Sequence, residues 1–207
     1  MAATGSVDAA LAMDAVGPVV WAAWTVTVAG RITLFPPVKL ESPEAACDWL
    51  GRAGADGRLL GFYCRRGRAR LIVESGNCYL MGRLLAESVA RSSAWRRWRP
   101  TFGWVEVAES AKVSVDERSD GCSVISRREL VSRMADEMRR GGTVRAPNDL
   151  ISGRWTREHA STIFAEPREG QPEPGVRLAC ELAVWSAYRH TAWRERQRAA
   201  AEAERRG

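Results

Sequence analysis

Val19-Val20-Trp21-Ala22-Ala23-Trp24-Thr25-Val26-Thr27-Val28-Ala29-Gly30-Arg31-Ile32-Thr33-Leu34-Phe35 is the run from which the fold is read. Trp24, Val26 and Val28 alternate with Thr25 and Thr27, the period-two pattern of a strand with one face buried. Gly30 allows a turn, and Ile32 to Phe35 resume the extended pattern. The run therefore predicts a strand or hairpin, ended by Pro36-Pro37.

Upstream, Met1 to Gly17 are small and Ala-rich, which predicts a mobile arm or a weak helix. Downstream, Ser42-Pro43 suits an N-cap and first helical residue for a short helix through Trp49 and Leu50. Leu59 to Cys64 and Ala69 to Glu74 read as strands flanking the basic tip Arg65-Arg66-Gly67-Arg68. Tyr79 to Val89 have helical spacing, Phe102 to Ala108 strand character, and Val113 and Val115 alternate around Ser114. Ser126-Arg127-Arg128-Glu129 forms a capping box, followed by a stripe of Leu130, Met134 and Met138. A last helix carries Leu178, Leu182, Trp185 and Tyr188 on one side and runs into the charged segment Arg194 to Arg206. The expected class is α+β, with an antiparallel sheet in the N-terminal half and a helical C-terminal part. The expected organisation is an arm over 1–17, a β-rich nucleic-acid-binding part over 18–125 and a helical part with a charged tail over 126–207.

The 207 residues suffice for one sizeable core. At 45% hydrophobic and 27% charged residues, the chain reads as globular rather than disordered. Its formal charge is +6, which suits a polyanionic partner. Lys39 and Lys112 are the only lysines, so 29 of the 31 basic residues are arginine, the side chain that forks onto phosphate. Five scattered cysteines show no zinc-type pairing, and reduced, mostly buried thiols in a cytoplasmic protein are expected. No signal peptide is read at the N-terminus. Val16 to Val28 is too short and broken to span a bilayer, so no membrane association is expected.

The sequence offers no recognised catalytic constellation. His159 and His190 lie in different predicted helices without a nucleophile beside them. Gly51 to Gly57 is glycine-rich but lacks the Lys-Ser/Thr of a phosphate loop. Asp116, Glu117 and Asp120 surround Arg118 and lack the distal glutamate of a calcium loop. Asp136 and Glu137 are helix neighbours that point to different sides. The expectation is a non-enzymatic protein with no cofactor and no metal site.

The most suggestive stretch for binding is Trp95-Arg96-Arg97-Trp98-Arg99-Pro100-Thr101-Phe102-Gly103-Trp104. Guanidinium pairs with phosphate, and both guanidinium and indole stack on bases. Arg96, Arg97 and Arg99 are the expected phosphate contacts and Trp95 the stacking ring, with Trp98, Phe102 and Trp104 more buried. Arg65, Arg66, Arg68, Arg70, Lys112, Arg154 and Trp155 could complete one positive groove. No finger, basic zipper or RNP-type motif is present, so sequence-tolerant contact with RNA or single-stranded DNA fits better than duplex readout.

The second half also carries a likeness to a known family. Arg99-Pro100-Thr101-Phe102-Gly103-Trp104-Val105 is followed by Ser110-Ala111-Lys112, a helix, Asn148-Asp149-Leu150-Ile151-Ser152-Gly153-Arg154-Trp155, and Leu178-Ala179-Cys180-Glu181-Leu182-Ala183-Val184-Trp185. This order resembles the small large-subunit-like protein of type IV CRISPR–Cas complexes, over roughly the C-terminal half. The resemblance implies a non-enzymatic subunit of a crRNA-guided ribonucleoprotein, with other protein subunits as partners and contact to crRNA and target DNA. The usual N-terminal cysteine zinc finger of that family is absent here. Two other readings stand beside it. One is a stand-alone DNA- or RNA-binding protein of an actinobacterial phage or plasmid. The other is an adaptor whose Arg/Trp surface meets a protein partner.

Overall fold

In the computed structural model, the strand at the centre of the molecule is the Ala-rich segment β1 (Gly5–Met13). The structure describes residues 5–14, 17–28, 31–53, 69–74, 83–84, 87–88, 91, 101–108, 115–117, 122–132, 144–145 and 175–189. The expectation of an arm or weak helix over 1–17 is thus corrected. Alanine favours helix in isolation, but here β1 is laddered on both edges and buried along its whole length. Tertiary burial overrides the local preference.

On one edge of β1 lies β2 (Val20–Val28), antiparallel, with Met13 opposite Val20 and Gly5 opposite Val28. Gly17 takes φ +92° in the connection, a conformation glycine adopts without steric cost. β3 (Arg31–Leu34) returns antiparallel to β2, so the hairpin expected over 19–35 is present. The short β4 (Val38–Leu40) also pairs with β2. On the other edge, β5 (Ala69–Glu74) runs parallel to β1, β6 (Thr101–Ala108) parallel to β5, and β8 (Cys122–Ser126) parallel to β6. β7 (Val115–Glu117) closes this side antiparallel to β8, and β9 (Val144–Arg145) joins β3 in parallel. The main path reads β7-β8-β6-β5-β1-β2-β3-β9.

The fold is α+β, as the alternating runs and the capping box predict. The sheet itself is mixed. Antiparallel pairing holds for the meander β1-β2-β3, whereas β5, β6 and β8 are laid beside it by crossovers. Residues 54–68, where a hairpin partner for β5 was expected, lie outside the described residues.

Each face of the sheet carries a helix. On one face α1 (Pro43–Ala53) packs over Ala9, Leu11, Met13, Val20, Leu71 and Val73. Ser42 caps it, its Oγ accepting from Ala45 N at 3.2 Å, and Pro43 fills the first turn as its fixed φ favours. Trp24 fixes the helix to the sheet, with its ring 5.6 Å from both Phe35 and Trp49.

Helical residues 127–132, α2, follow β8 directly at the predicted capping box, with Leu130 buried. On the opposite face from α1, helical residues 175–189, α3, cover Ala10, Ala12, Ala23, Ile72, Val105 and Ile125. Ala179, Ala183 and Ala187 are fully buried in α3. Small side chains on helix and strand alike let α3 lie close to β1, which is why β1 is rich in alanine.

Candidate active site

The order of the strands singles out one place in the sheet. The chain builds β1, β2 and β3 outward in one direction, then crosses to the far edge of β1 to place β5. β1 and β5 are therefore parallel neighbours at which the winding reverses. In open sheets of this kind, the crevice beyond the carboxyl ends of such strands is the usual ligand site. The residues found there are acidic. Glu74 ends β5, and Asp14 immediately follows β1.

Both carboxylates belong to the α3 face. Leu71 and Val73 pack on the α1 side, so Ile72 and Glu74 point the other way. Along β1, Ala10 and Ala12 lie under α3, and the same alternation carries Asp14 to that side. The parallel register pairs Leu11 with Val73. One further step sets Ala12 beside Glu74, with Asp14 two residues on. Strand rise and spacing place their Cα atoms roughly 8 Å apart, within reach of one shared cation.

Asp14 is half-buried and firmly held. Its backbone N–H donates to Val19 O at 3.0 Å, closing the hairpin end. Its Oδ2 accepts from the Trp21 indole Nε1–H at 3.1 Å, and its Oδ1 accepts from the Gly175 backbone N–H at 2.8 Å. Trp21 can reach it because it sits opposite Ala12 on the same face. A carboxylate offers about four lone-pair positions, so two donors leave acceptor capacity for a metal ion. Glu74 is buried, at 1% exposure.

Behind this pair, α3 is tied to the sheet by polar groups along its length. Glu181 accepts from both Arg127 of α2 and Arg177 of its own helix, with Arg177 Nε 3.0 Å from Oε1. Farther along, Ser186 Oγ donates to Asp8 Oδ1 at 2.5 Å, and Thr25 Oγ1 donates to Ala183 O at 3.4 Å. Gly175 meets Asp14 while Ser186 meets Asp8, so α3 runs antiparallel to β1. Asp8 is wholly buried and lies 4.0 Å from Nε of the partly exposed Arg70.

Of the residues predicted to line a positive groove, Arg70 alone lies within the described residues, and its guanidinium faces Asp8. Arg65, Arg66, Arg68, Trp95, Arg96, Arg97, Arg99, Lys112, Arg154 and Trp155 fall outside them. Trp104 is half-buried on β6, with the Arg83 guanidinium 5.2 Å above its ring. Asp14 and Glu74 were missed by sequence reasoning. The available signal was an acid closing each of two apolar runs, Ala9-Ala10-Leu11-Ala12-Met13 and Leu71-Ile72-Val73, each with a glycine within three residues after it.

Asp14 and Glu74 supply hard oxygen donors from two rigid strand ends. That donor set suits Mg²⁺ or Mn²⁺, which are commonly held by one or two carboxylates together with water and substrate phosphate. Among the described residues no cluster of three or more His, Cys, Asp or Glu forms a closed metal cage. Cys122 and Cys180 are buried thiols that form no disulfide. Burial pushes the Cys180 thiol far up, with the neighbouring Glu181 charge adding to the effect, so it stays protonated. No described helix is long and apolar enough to cross a membrane.

No protein-family model matches the chain, and no curated protein does. Neither result bears on the likeness of the C-terminal half to the type IV CRISPR–Cas subunit. Solved structures do match the fold. The human cytomegalovirus terminase nuclease domain soaked with Mn superposes with a TM-score of 0.56 at 10% identity, covering 87% of this chain and 81% of that one. The inhibitor-bound, Mn-soaked form of that domain gives 0.55 at 10% identity, covering 88% and 82%. A third structure of the domain gives 0.55 at 10% identity, covering 87% and 82%. The expectation of a non-enzymatic binding subunit is corrected here: the chain shares its fold with these nuclease domains, and no binding subunit is among the matches named.

Proposed function

We propose that this protein is a nuclease that hydrolyses phosphodiester bonds with a divalent cation held by Asp14 and Glu74. The observation that carries the reading is the convergence of these two acids at the carboxyl ends of β1 and β5, where the winding of the sheet reverses. A cation bound there would act as a Lewis acid on the phosphate and make water a stronger nucleophile. The protein's own part is geometric. β1 and β5 fix the spacing of the two carboxylates, Trp21 and Gly175 hold Asp14, and α3 closes the face behind them.

The formal charge of +6 favours a polyanionic substrate, and the arginine-rich segments 65–70 and 95–99 are the natural sources of backbone contact. A cytoplasmic setting agrees with the buried thiols Cys122 and Cys180, which form no disulfide. Substrates of the nuclease are sought among single-stranded, duplex and branched DNA and RNA, end-labelled and incubated with Mg²⁺ or Mn²⁺. Cleavage by the parent, abolished by chelation and by Asp14→Asn, is the expected result. Cleavage that survives both would overturn the assignment.

A further inference from the structure

Asp14 receives a donor on each of its two oxygens, one from β2 and one from α3, and the two donors come from unrelated parts of the chain. Trp21 Nε1 reaches Oδ2 at 3.1 Å, and Gly175 N reaches Oδ1 at 2.8 Å. We infer that Trp21 is a positioning residue for metal binding: its indole N–H fixes the orientation of the Asp14 carboxylate and so sets the affinity of the site for its cation. The inference rests on the nuclease reading and adds a residue outside the carboxylate pair.

The geometry supports this in three ways. First, the indole is placed by the sheet. Trp21 lies opposite Ala12, and its ring packs against the cluster beneath α3, so Nε1 is delivered from a fixed side chain. Second, the opposite oxygen is held just as closely. A Cβ on Gly175 would lie 2.8 Å from Asp14 Oδ1 and 2.9 Å from both Asp14 N and Met13 C. Only glycine brings this backbone N–H so near, and any larger residue must push helix and carboxylate apart. Third, the chemistry of donors behind a ligand is general. A ligating carboxylate is oriented by its outer hydrogen bonds, and losing one typically costs about 10–100-fold in metal affinity or activity.

Two variants test the role on the full-length protein, with Mn²⁺ as the probe. Trp21→Phe keeps an aromatic ring in the core and removes only the donor, while Gly175→Ala disturbs the other oxygen and leaves Trp21 intact. Mn²⁺ binding is read by electron paramagnetic resonance of the free ion, without substrate, beside the thermal unfolding of the metal-free protein. Cleavage kinetics follow as a function of Mn²⁺ and of nucleic acid. Trp21→Phe is expected to weaken Mn²⁺ binding by about 10-fold or more and to lower kcat with little change in KM for nucleic acid. Gly175→Ala is expected to move both in the same direction. Restoration of kcat in Trp21→Phe at high Mn²⁺ would further mark the effect as one on the site rather than on the fold.

If Trp21→Phe binds Mn²⁺ as tightly as the parent, or loses activity only in proportion to unfolded protein, the positioning role is wrong and the nuclease reading stands. If Asp14→Asn binds Mn²⁺ and cleaves like the parent, the nuclease reading itself fails and takes the inference with it. Should Trp21→Phe not fold, Gly175→Ala decides: unchanged Mn²⁺ affinity in that variant overturns the claim that Asp14's donors set the site.

Discussion

On the nuclease reading proposed above, Asp14 and Glu74 would hold the cation, and conservative changes at each test that role. Asp14→Asn and Glu74→Gln preserve size while removing the charge that would hold a cation. A bound ion contributes several kcal/mol of charge stabilisation, and each 1.36 kcal/mol is tenfold in rate. Each variant should therefore cut cleavage by about 100-fold or more, measured as single-turnover rates at saturating Mg²⁺. Arg70, by contrast, reaches the buried Asp8 from a partly exposed position. The site was hard to read from the sequence because its two acids are 60 residues apart, and neither sits in a local motif. Only the parallel register that brings Leu11 beside Val73 makes them neighbours, and register between distant strands leaves no local trace. The Arg/Trp segment drew attention for the opposite reason: its composition is unusual over ten consecutive residues. Cys180 gives a further residue-scale prediction. Its thiol is buried and held protonated, so alkylation by iodoacetamide at pH 8 should spare it in the native protein and label it only on unfolding, as peptide mapping would show.

At the scale of elements, what was legible follows from locality. The β2–β3 hairpin, the cap of α1, the capping box before α2 and the apolar stripe of α3 each depend on residues within a few positions of one another. β1 was misread because its pattern carries no alternation: both of its faces are covered, and its alanines serve the close approach of α3. The parallel half of the sheet was likewise invisible, since crossovers are fixed by the whole molecule. Two substitutions probe the helices. Ser42→Ala removes the hydroxyl that accepts from Ala45 N and also holds the Glu44 carboxyl below its usual range. It should lower stability by about 1 kcal/mol in urea denaturation. Glu181→Gln removes the carboxylate that Arg127 and Arg177 both bind at a buried site. Breaking such a cluster from one side costs about 3–5 kcal/mol, far more than the cap.

At the scale of the whole molecule, the described residues form one sheet with helices on both faces, and the two faces differ in kind. The α1 side is built on aromatic rings, with Trp24 between Phe35 and Trp49. The α3 side is built on small residues and polar ties, and it holds the candidate site. Overpacking should expose the difference. Ala12→Leu would force α3 off the sheet, costing about 1–3 kcal/mol and lowering the thermal midpoint together with metal affinity. The central strand also has a place in time. Asp8 finds Ser186 across 178 positions, and Asp14 finds Gly175 across 161. Ribosomes add about 5–20 residues per second, so β1 leaves the ribosome on the order of 10–30 s before the helix that covers it. Throughout that interval a nascent chain would carry an alanine-lined strand face with no lid and an acidic pair with no fixed geometry. On the nuclease reading proposed above, the site would gain its fixed geometry only once α3 has been made, so activity would come late in synthesis.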